Sequence, residues 1–338
     1  MNEPKEGVTV YGAGSIGCYI GGRLNGHIPV RYIGRAGTLK ILREHGLSTS
    51  DYRGPAGKQS GDVLDLHTEM AGAADASLVL VCVKSAATAE VAMQLAAVLK
   101  PSALVISLQN GLHNAYVLQA ALPQCTVLAG MVPFNVVQRA PGVLHQASSG
   151  ELMVQADGKL THWLPAFAAA GLPLQPRDDM PAVQRAKLLL NLNNAINALS
   201  GLPLREELSQ RGWRRCLALA QHEALEVFRA AGLPVARLTP LPTAWLPRVL
   251  ALPDAVFSLI AARMLAIDPL ARSSMWDDLK AGRLTEVDYI NGEVVKLAEA
   301  QGRSAPINAQ LCALVHAAER SPRAWRQDAL LAALRAAG

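Results

Sequence analysis

Val8-Thr9-Val10-Tyr11-Gly12-Ala13-Gly14-Ser15-Ile16-Gly17 joins a short apolar run to a G-x-G-x-x-G loop, and Ser15 to Leu24 reads as a helix. A glycine loop set between a strand and a helix is the sequence form of a dinucleotide-binding turn. Gly12 permits the tight turn, Gly14 lets backbone approach a pyrophosphate, and Gly17 lets the helix pack close to the strand. The helix N-terminus then offers unpaired N–H groups and a partial positive charge. Gly12 through Gly17, with Ala13, Ser15 and Ile16 between the glycines, are therefore candidate cofactor-binding residues. The alternative is a glycine-rich turn that holds no ligand.

The second strand, Pro29-Val30-Arg31-Tyr32-Ile33, ends in Gly34-Arg35. Folds of this kind commonly place an acid there to hold the adenosine ribose 2′-hydroxyl. Here a guanidinium stands instead, and its planar fork suits a 2′-phosphate. NADP(H) is expected over NAD(H), with Thr38 as a possible assistant. Otherwise Arg35 is an ordinary solvated charge.

The chain has 338 residues, enough for two domains, and 51% of them are apolar. Its net charge of +5 comes from scattered basic residues. That pattern argues against nucleic acid as a partner and suits an anionic substrate and a phosphorylated cofactor. Cys18, Cys82, Cys125, Cys216 and Cys312 are widely separated and form neither a C-x-x-C pair nor a metal-ligand cluster. Reduced thiols in a cytoplasmic protein are expected, with no metal. The charged start, Met1 to Gly7, has no signal-peptide character. Pro101 to Gln138 lacks Lys, Arg, Asp and Glu, but its many amides and prolines exclude a membrane span. It reads instead as buried parallel strands around a short helix.

Strand and helix signals alternate from Val8 to about Arg177. Strands are expected at Val8–Tyr11, Val30–Ile33, Leu78–Val83, Ala103–Leu108 and Thr126–Met131. Val143–Gln146, Glu151–Val154 and Pro173–Gln175 are further candidates. The pattern is that of an α/β, Rossmann-type doubly wound sheet. Asp51–Asp65 reads as a loop or hairpin. After Asp178-Asp179-Met180-Pro181 the signals turn helical. We expect a dinucleotide-binding domain over 1–178 and an all-α substrate or dimerisation domain over 179–338. Leu238–Pro253 reads as an irregular connection, and Trp325 to Ala337 as a terminal helix.

The helical half opens with Lys187-Leu188-Leu189-Leu190-Asn191-Leu192-Asn193-Asn194-Ala195-Ile196-Asn197. Read as one helix, it places Asn191 about 40° and Asn194 about 20° from Lys187, on opposite sides. One face of an apolar helix thus carries an ammonium between two amides. Asn193 and Asn197 fit a structural amide network, and Lys187 alone could be a snorkelling surface lysine. Further on stand Ser273-Ser274-Met275 and, after Gly282, Thr285-Glu286-Val287-Asp288. Gly282 suits a helix stop, and Thr285 an N-cap with Asp288 in the box position. Glu286 would then be the first helical residue, its ionised form favoured by the dipole.

With these residues in view, the chain resembles the ketopantoate reductase family (2-dehydropantoate 2-reductases) along nearly its whole length. The resemblance is carried by Gly12–Gly17, Lys84 after its apolar strand, Gln109-Asn110-Gly111, Lys187 with Asn191, Ser273-Ser274-Met275 and the run from Thr285 to Val295. It implies an N-terminal Rossmann domain, a helical C-terminal domain and NADPH as reductant. It implies Lys187 as general acid, Glu286 on the substrate hydroxyl, and Ser274 and Asn191 on carboxylate or hydroxyl groups. Lys84 and Asn110 would contact the nicotinamide–ribose end. The chemistry is coherent, because hydride delivery to a ketone creates an alkoxide that a positioned ammonium stabilises and protonates. Glu286 would also help keep Lys187 protonated. Two departures stand out: Ala195 occupies the place of a second family asparagine, with Asn194 one residue earlier as its candidate substitute, and the connection over 238–271 is long. The expected reaction is NADPH-dependent reduction of a 2-oxo acid, foremost ketopantoate, by a possible homodimer. Another hydroxy-acid or opine-type oxidoreductase and a non-catalytic NADP(H)-binding regulator remain open.

Overall fold

The computed structural model of the chain describes residues 6–260 and 271–338. Met1–Lys5 of the charged start and 261–270 of the long connection lie outside the described residues. The chain divides into two compact units, 1–180 and 181–338.

In the first unit, β1 (Val8–Tyr11), α1 (Ser15–Leu24), β2 (Val30–Ile33) and α2 (Ala36–His45) lead into β3 (Leu47–Asp51), β4 (Gly54–Gln59) and β5 (Asp65–His67). Then come β6 (Leu78–Val81), α3 (Thr88–Ala96), β7 (Leu104–Ser107), α4 (Asn114–Ala121) and β8 (Thr126–Met131). The unit closes with β9 (Val136–Ala140), β10 (Val143–Gln146), β11 (Leu152–Gln155), α5 (Leu164–Ala169) and β12 (Leu174–Arg177).

The main sheet runs β12-β11-β8-β7-β6-β1-β2-β5. All its pairings are parallel except that of β11 with β8. β1 lies between β2 and β6, so the connections depart to opposite sides there. The carboxyl ends of β1 and β6 thus form the switch point at which open α/β sheets bind ligands. β6 is Leu-Val-Leu-Val with every residue buried, as expected of a strand covered on both faces.

One expectation is corrected here. Val143–Gln146 is a strand but does not extend the doubly wound sheet. It belongs to a second, four-stranded sheet of order β4-β3-β10-β9. Asp51–Asp65 contributes the β3–β4 turn and β4 to it, and the strand at Val136–Ala140 was not anticipated.

The second sheet explains the composition of α1. The helix packs between the two sheets, with Cys18, Tyr19, Ile20 and Leu24 in the core. A Cβ on Gly17 would fall 2.2 Å from the Gly12 carbonyl oxygen and 2.8 Å from a Val10 methyl. On Gly21 it would strike the Tyr32 ring at 2.5 Å, and on Gly22 the Leu47 and Thr49 side chains at 2.9 Å. The Tyr19 hydroxyl donates to Gln146 of β10 at 2.8 Å, and Arg23 pairs with Asp51 of β3 at 2.9 Å. Burial pushes the Asp51 carboxyl up, but hydrogen bonds from Arg53 and Arg23 outweigh it and hold the group well below the usual carboxylate range.

The second unit is helical throughout its described residues. It comprises α6 (Met180–Asn191), α7 (Asn193–Ser200), α8 (Leu204–Ser209), α9 (Arg211–Ala230), α10 (Leu246–Leu250) and α11 (Asp254–Ile260). After the undescribed stretch come α12 (Ser274–Lys280), α13 (Val287–Glu299), α14 (Pro306–Arg320) and α15 (Gln327–Ala337). The 20-residue α9 is the central element. Its fully buried Arg214 donates to the carbonyls of Leu208, Ser209, Leu250 and Leu252, where α8 and α10 end, and stacks 4.0 Å from the Phe257 ring. A buried cation at two helix C-termini is favoured by their dipoles. The connection read as irregular thus contains α10. Among the described residues no helix is long and apolar enough to cross a membrane.

Gly17→Ala is expected to cost about 1–3 kcal/mol through overpacking against backbone that cannot retreat. Gly14→Ala should stay within about 0.5 kcal/mol, because a Cβ there meets nothing within 4 Å. Urea denaturation of both variants checks this, and equal midpoints would contradict it.

Candidate active site

At the switch point Gly12 has φ +108°, and a Cβ on it would lie 2.7 Å from the Val83 nitrogen and 2.8 Å from the Cys82 carbonyl carbon. Only glycine fits there. Gly14 is exposed, at the N-cap of α1, with no side-chain cap and no acid in the first helical turn. The orphan N–H groups of α1 therefore open onto a space that a Gly14 side chain would fill. This is the arrangement a pyrophosphate needs, so the residues fit a dinucleotide. Ala13 is buried against Gly34, while Ser15 and Ile16 are half-buried on the first turn. Arg35 is exposed at the N-cap of α2, whose first turn carries no acid, and Gly34 is held by its N–H to the His67 carbonyl at 3.1 Å.

Lys84 and Asn110 follow the ends of β6 and β7, and a buried polar chain locks their two loops together. Ser107 donates to Gln109 Oε1 at 3.0 Å. Gln109 Nε2 donates to the Val83 carbonyl at 3.1 Å and to Thr88 Oγ1 at 2.7 Å. The Thr88 hydroxyl donates to Asn114 Oδ1 at 2.7 Å. Asn114 Nδ2 then donates to Ser85 Oγ at 3.1 Å and to the Asn110 carbonyl, which also accepts from the Ser85 hydroxyl at 3.0 Å. Each bond fixes the direction of the next, so the chain specifies one arrangement of both loops. Sequence reasoning missed Ser85, Thr88 and Asn114. Thr88 and Asn114 begin α3 and α4 and look like ordinary helix-start residues.

In the helical unit Lys187 and Asn191 both lie on α6 and are half-buried. The single helix expected through Asn197 is two: Leu192 stands between α6 and α7, although its φ of −55° and ψ of −23° keep the path nearly continuous. Among the described residues the Lys187 ammonium has no hydrogen-bond or ion-pair partner, and burial alone pulls its pKa down to about 8.

Asn194 is half-buried, whereas Ala195 is fully enclosed. The Asn194 carbonyl accepts from the Ser273 hydroxyl at 3.3 Å, and Asn197 Oδ1 accepts the Ser273 N–H at 2.9 Å. Ser273 is the N-cap of α12, accepting from the Trp276 N–H at 3.2 Å. The structure thus brings the start of α12, with Ser274 exposed on its first turn, onto α7 beside Asn194.

Glu286 differs from its expected place by one residue. It is the N-cap of α13, not its first helical residue, and its φ of −101° and ψ of 25° are non-helical. The capping box is not formed. Thr285 Oγ1 accepts the Val287 N–H at 3.3 Å, but Asp288 turns to His316 Nε2 at 2.9 Å. Glu319 of α14 takes the box role from outside the helix, accepting both the N–H and the hydroxyl of Thr285 at 2.8 Å. Gly282, with φ +63°, ends α12 as expected.

The unit also buries Glu207 completely, and sequence reasoning missed it. The signal was its spacing: Leu204, Glu207 and Leu208 share one helical stripe, so the carboxyl falls where an apolar side chain belongs. A separate groove of about 450 Å³, lined by Leu225, Phe228, Leu233, Val235, Arg229 and Arg237 among others, contains none of the nominated residues.

The first unit holds a cradle that fits a dinucleotide, and the second holds an ammonium among amides and hydroxyls, groups able to bind an anionic carbonyl compound and protonate it. Comparison with known proteins shows the family. Residues 8–158 match the profile of the family described as ketopantoate reductase PanE/ApbA, and residues 179–319 match its C-terminal profile. The chain is 30% identical over 322 residues to 2-dehydropantoate 2-reductase of Halobacterium salinarum, covering 93% of this chain and 99% of the relative. It is similar to the crystal structure of a PanE/ApbA family ketopantoate reductase from Ralstonia eutropha, with TM-score 0.78, 29% identity, and 94% and 99% of the two chains covered. A further fold neighbour is D-mandelate dehydrogenase with NADH and anilino(oxo)acetate, at TM-score 0.75, 20% identity, and 94% and 99% coverage. The chain belongs to the ketopantoate reductase family of oxidoreductases.

Proposed function

We propose that the chain is an NADPH-dependent 2-dehydropantoate 2-reductase, reducing the ketone of 2-dehydropantoate to the hydroxyl of pantoate in cytoplasmic pantothenate synthesis. The observation that carries this reading is the desolvated Lys187 ammonium in the same unit as Asn191, Asn194 and Ser274. When bound, NADPH supplies the hydride. Lys187 donates a proton to the oxygen on which negative charge develops. A pKa of about 8 makes it a stronger acid than an ordinary lysine while leaving it mostly protonated at neutral pH. Asn191, Asn194 and Ser274 supply neutral donors for the carboxylate and hydroxyl groups, and Glu286 accepts from the substrate's own hydroxyl. On the cofactor side, Gly12–Gly17 hold the pyrophosphate and Arg35 the 2′-phosphate. Lys84 and Asn110 hold the nicotinamide–ribose end.

The enclosed Ala195 favours one second reading. It leaves an amide missing from the family pattern, and the D-mandelate dehydrogenase neighbour illustrates another hydroxy acid handled on this fold. Steady-state kcat/KM with ketopantoate, pyruvate and phenylglyoxylate separates the two, with ketopantoate expected to lead. A preference for phenylglyoxylate would select the second reading.

Arg35→Ala should narrow the preference for NADPH over NADH by about 1.5–3 kcal/mol, the worth of a hydrogen bond to a charged group. Equal kcat/KM for both cofactors in the unmodified protein would remove this role. Lys187→Ala should lower kcat by roughly 10²–10⁴ with NADPH affinity unchanged. In the unmodified enzyme, kcat/KM should be highest below pH 8 and fall as pH rises through about 8, where Lys187 loses its proton. A profile that instead rises through that range would contradict the acid role.

A further inference from the structure

Ser273 meets α7 twice, by its hydroxyl at the Asn194 carbonyl and by its N–H at Asn197, and Asn197 is in turn held by Glu207. Asn197 and Glu207 are completely buried, and Asn193, Ser200 and Ser273 nearly so. Asn197 uses every polar atom of its amide. Its Nδ2 donates to the Leu202 carbonyl at 3.0 Å and to Glu207 Oε2, while its Oδ1 accepts the Ser273 N–H at 2.9 Å. The orientation of the amide is therefore fixed by Glu207 at one end and read by Ser273 at the other. A flipped amide would set its NH2 against the Ser273 N–H, donor to donor, and its oxygen against the acceptors of Glu207 and Leu202. The backbone adds a parallel link, because the Leu204 N–H at the start of α8 donates to the Ala271 carbonyl at 2.8 Å.

Two acceptors in this cluster lack a donor, Glu207 Oε1 and Asn193 Oδ1. Burial pushes the Glu207 carboxyl up to about 8 against the lowering effect of Asn197 and Asn193. A proton on the carboxyl would remove the cost of a buried charge.

We propose that Glu207 is a positioning residue for substrate recognition: through the Asn197 amide it fixes the Ser273–Ser274 start of α12 on α7, beside Asn194. The proposal rests on the reading of Ser274 and Asn194 as substrate ligands. Glu207 touches no substrate, and its effect passes only through the register between two helices. A loosened α12 would present Ser274 in several positions and bind the oxo acid less well, while the dinucleotide cradle in the other unit is untouched.

The test uses the full chain with Glu207→Ala, Glu207→Gln and Glu207→Leu. Glu207→Ala should raise KM for ketopantoate by roughly two- to tenfold, the range for one lost hydrogen bond, with the Kd for NADPH unchanged. Glu207→Gln should stay near the unmodified KM, since its amide oxygen supplies the same acceptor to Asn197 in the same shape. Amide hydrogen exchange supplies a readout independent of turnover: Ser273 to Trp276 should lose protection in Glu207→Ala and keep it in Glu207→Gln. Unchanged KM and exchange in Glu207→Ala, or equal damage in the Ala and Gln variants, overturns the proposal. If Glu207→Ala does not fold, Glu207→Leu decides, because it fills the same space without an acceptor for Asn197, and unchanged KM and exchange there overturn the proposal. If the unmodified protein reduces no oxo acid, the functional reading fails, and the exchange data still decide whether Glu207 anchors α12.

Discussion

The closest constraint in this molecule is the absence of room on α1. The helix crosses β1 at Gly17, lies on Tyr32 at Gly21 and on the second sheet at Gly22, and a methyl group at any of the three would overlap a neighbour. A helix buried on both sides must be thin, and glycine makes it so despite a propensity cost of roughly 1 kcal/mol per residue. That thinness sets the turn from β1 into α1, and the turn aims the helix N-terminus at the switch point. Gly14 alone has open space ahead of it, so packing demands and ligand demands fall on different glycines of one motif.

The two units solve the same problem with buried amides. In the first, Gln109, Thr88, Asn114 and Ser85 join the loops after β6 and β7. In the second, Asn197 joins α7, α8 and α12. Hydrogen-bonded amides are directional, so they fix register where apolar contacts would tolerate sliding. Thr285, with Glu319 beneath it, does the same for the residue before Glu286. In each case the residue nominated for chemistry sits one or two positions from the residue that is clamped.

Much of the fold was legible because its signals are local. The β1–loop–α1 unit, the fully apolar β6, the largely apolar β8 and the shift to helix after Pro181 each follow from a few adjacent residues. The second sheet was not legible. Leu-Ser-Thr-Ser-Asp and Val-Val-Gln-Arg-Ala are short and polar, and the sheet forms only because β3 pairs with β10 nearly a hundred residues away. The nominated site residues stood out by type and spacing, but their supports did not. Glu207 stands in the charged run Arg205-Glu206-Glu207, which masks its place on the Leu204–Leu208 stripe, and Glu319 belongs to a helix whose sequence carries no sign that it caps another. The break at Leu192 and the one-residue shift at Glu286 are end effects that helical arithmetic does not resolve.

The central claim is that this chain moves a hydride from NADPH to the ketone carbon of a 2-oxo acid. Mass spectrometry of the product formed from ketopantoate and NADPH deuterated on the transferable C4 position tests it most directly. The account predicts pantoate with one deuterium at C2, formed in equal amount to the NADPH consumed. Product without deuterium from either C4 face, or NADPH bound with no product, would contradict it.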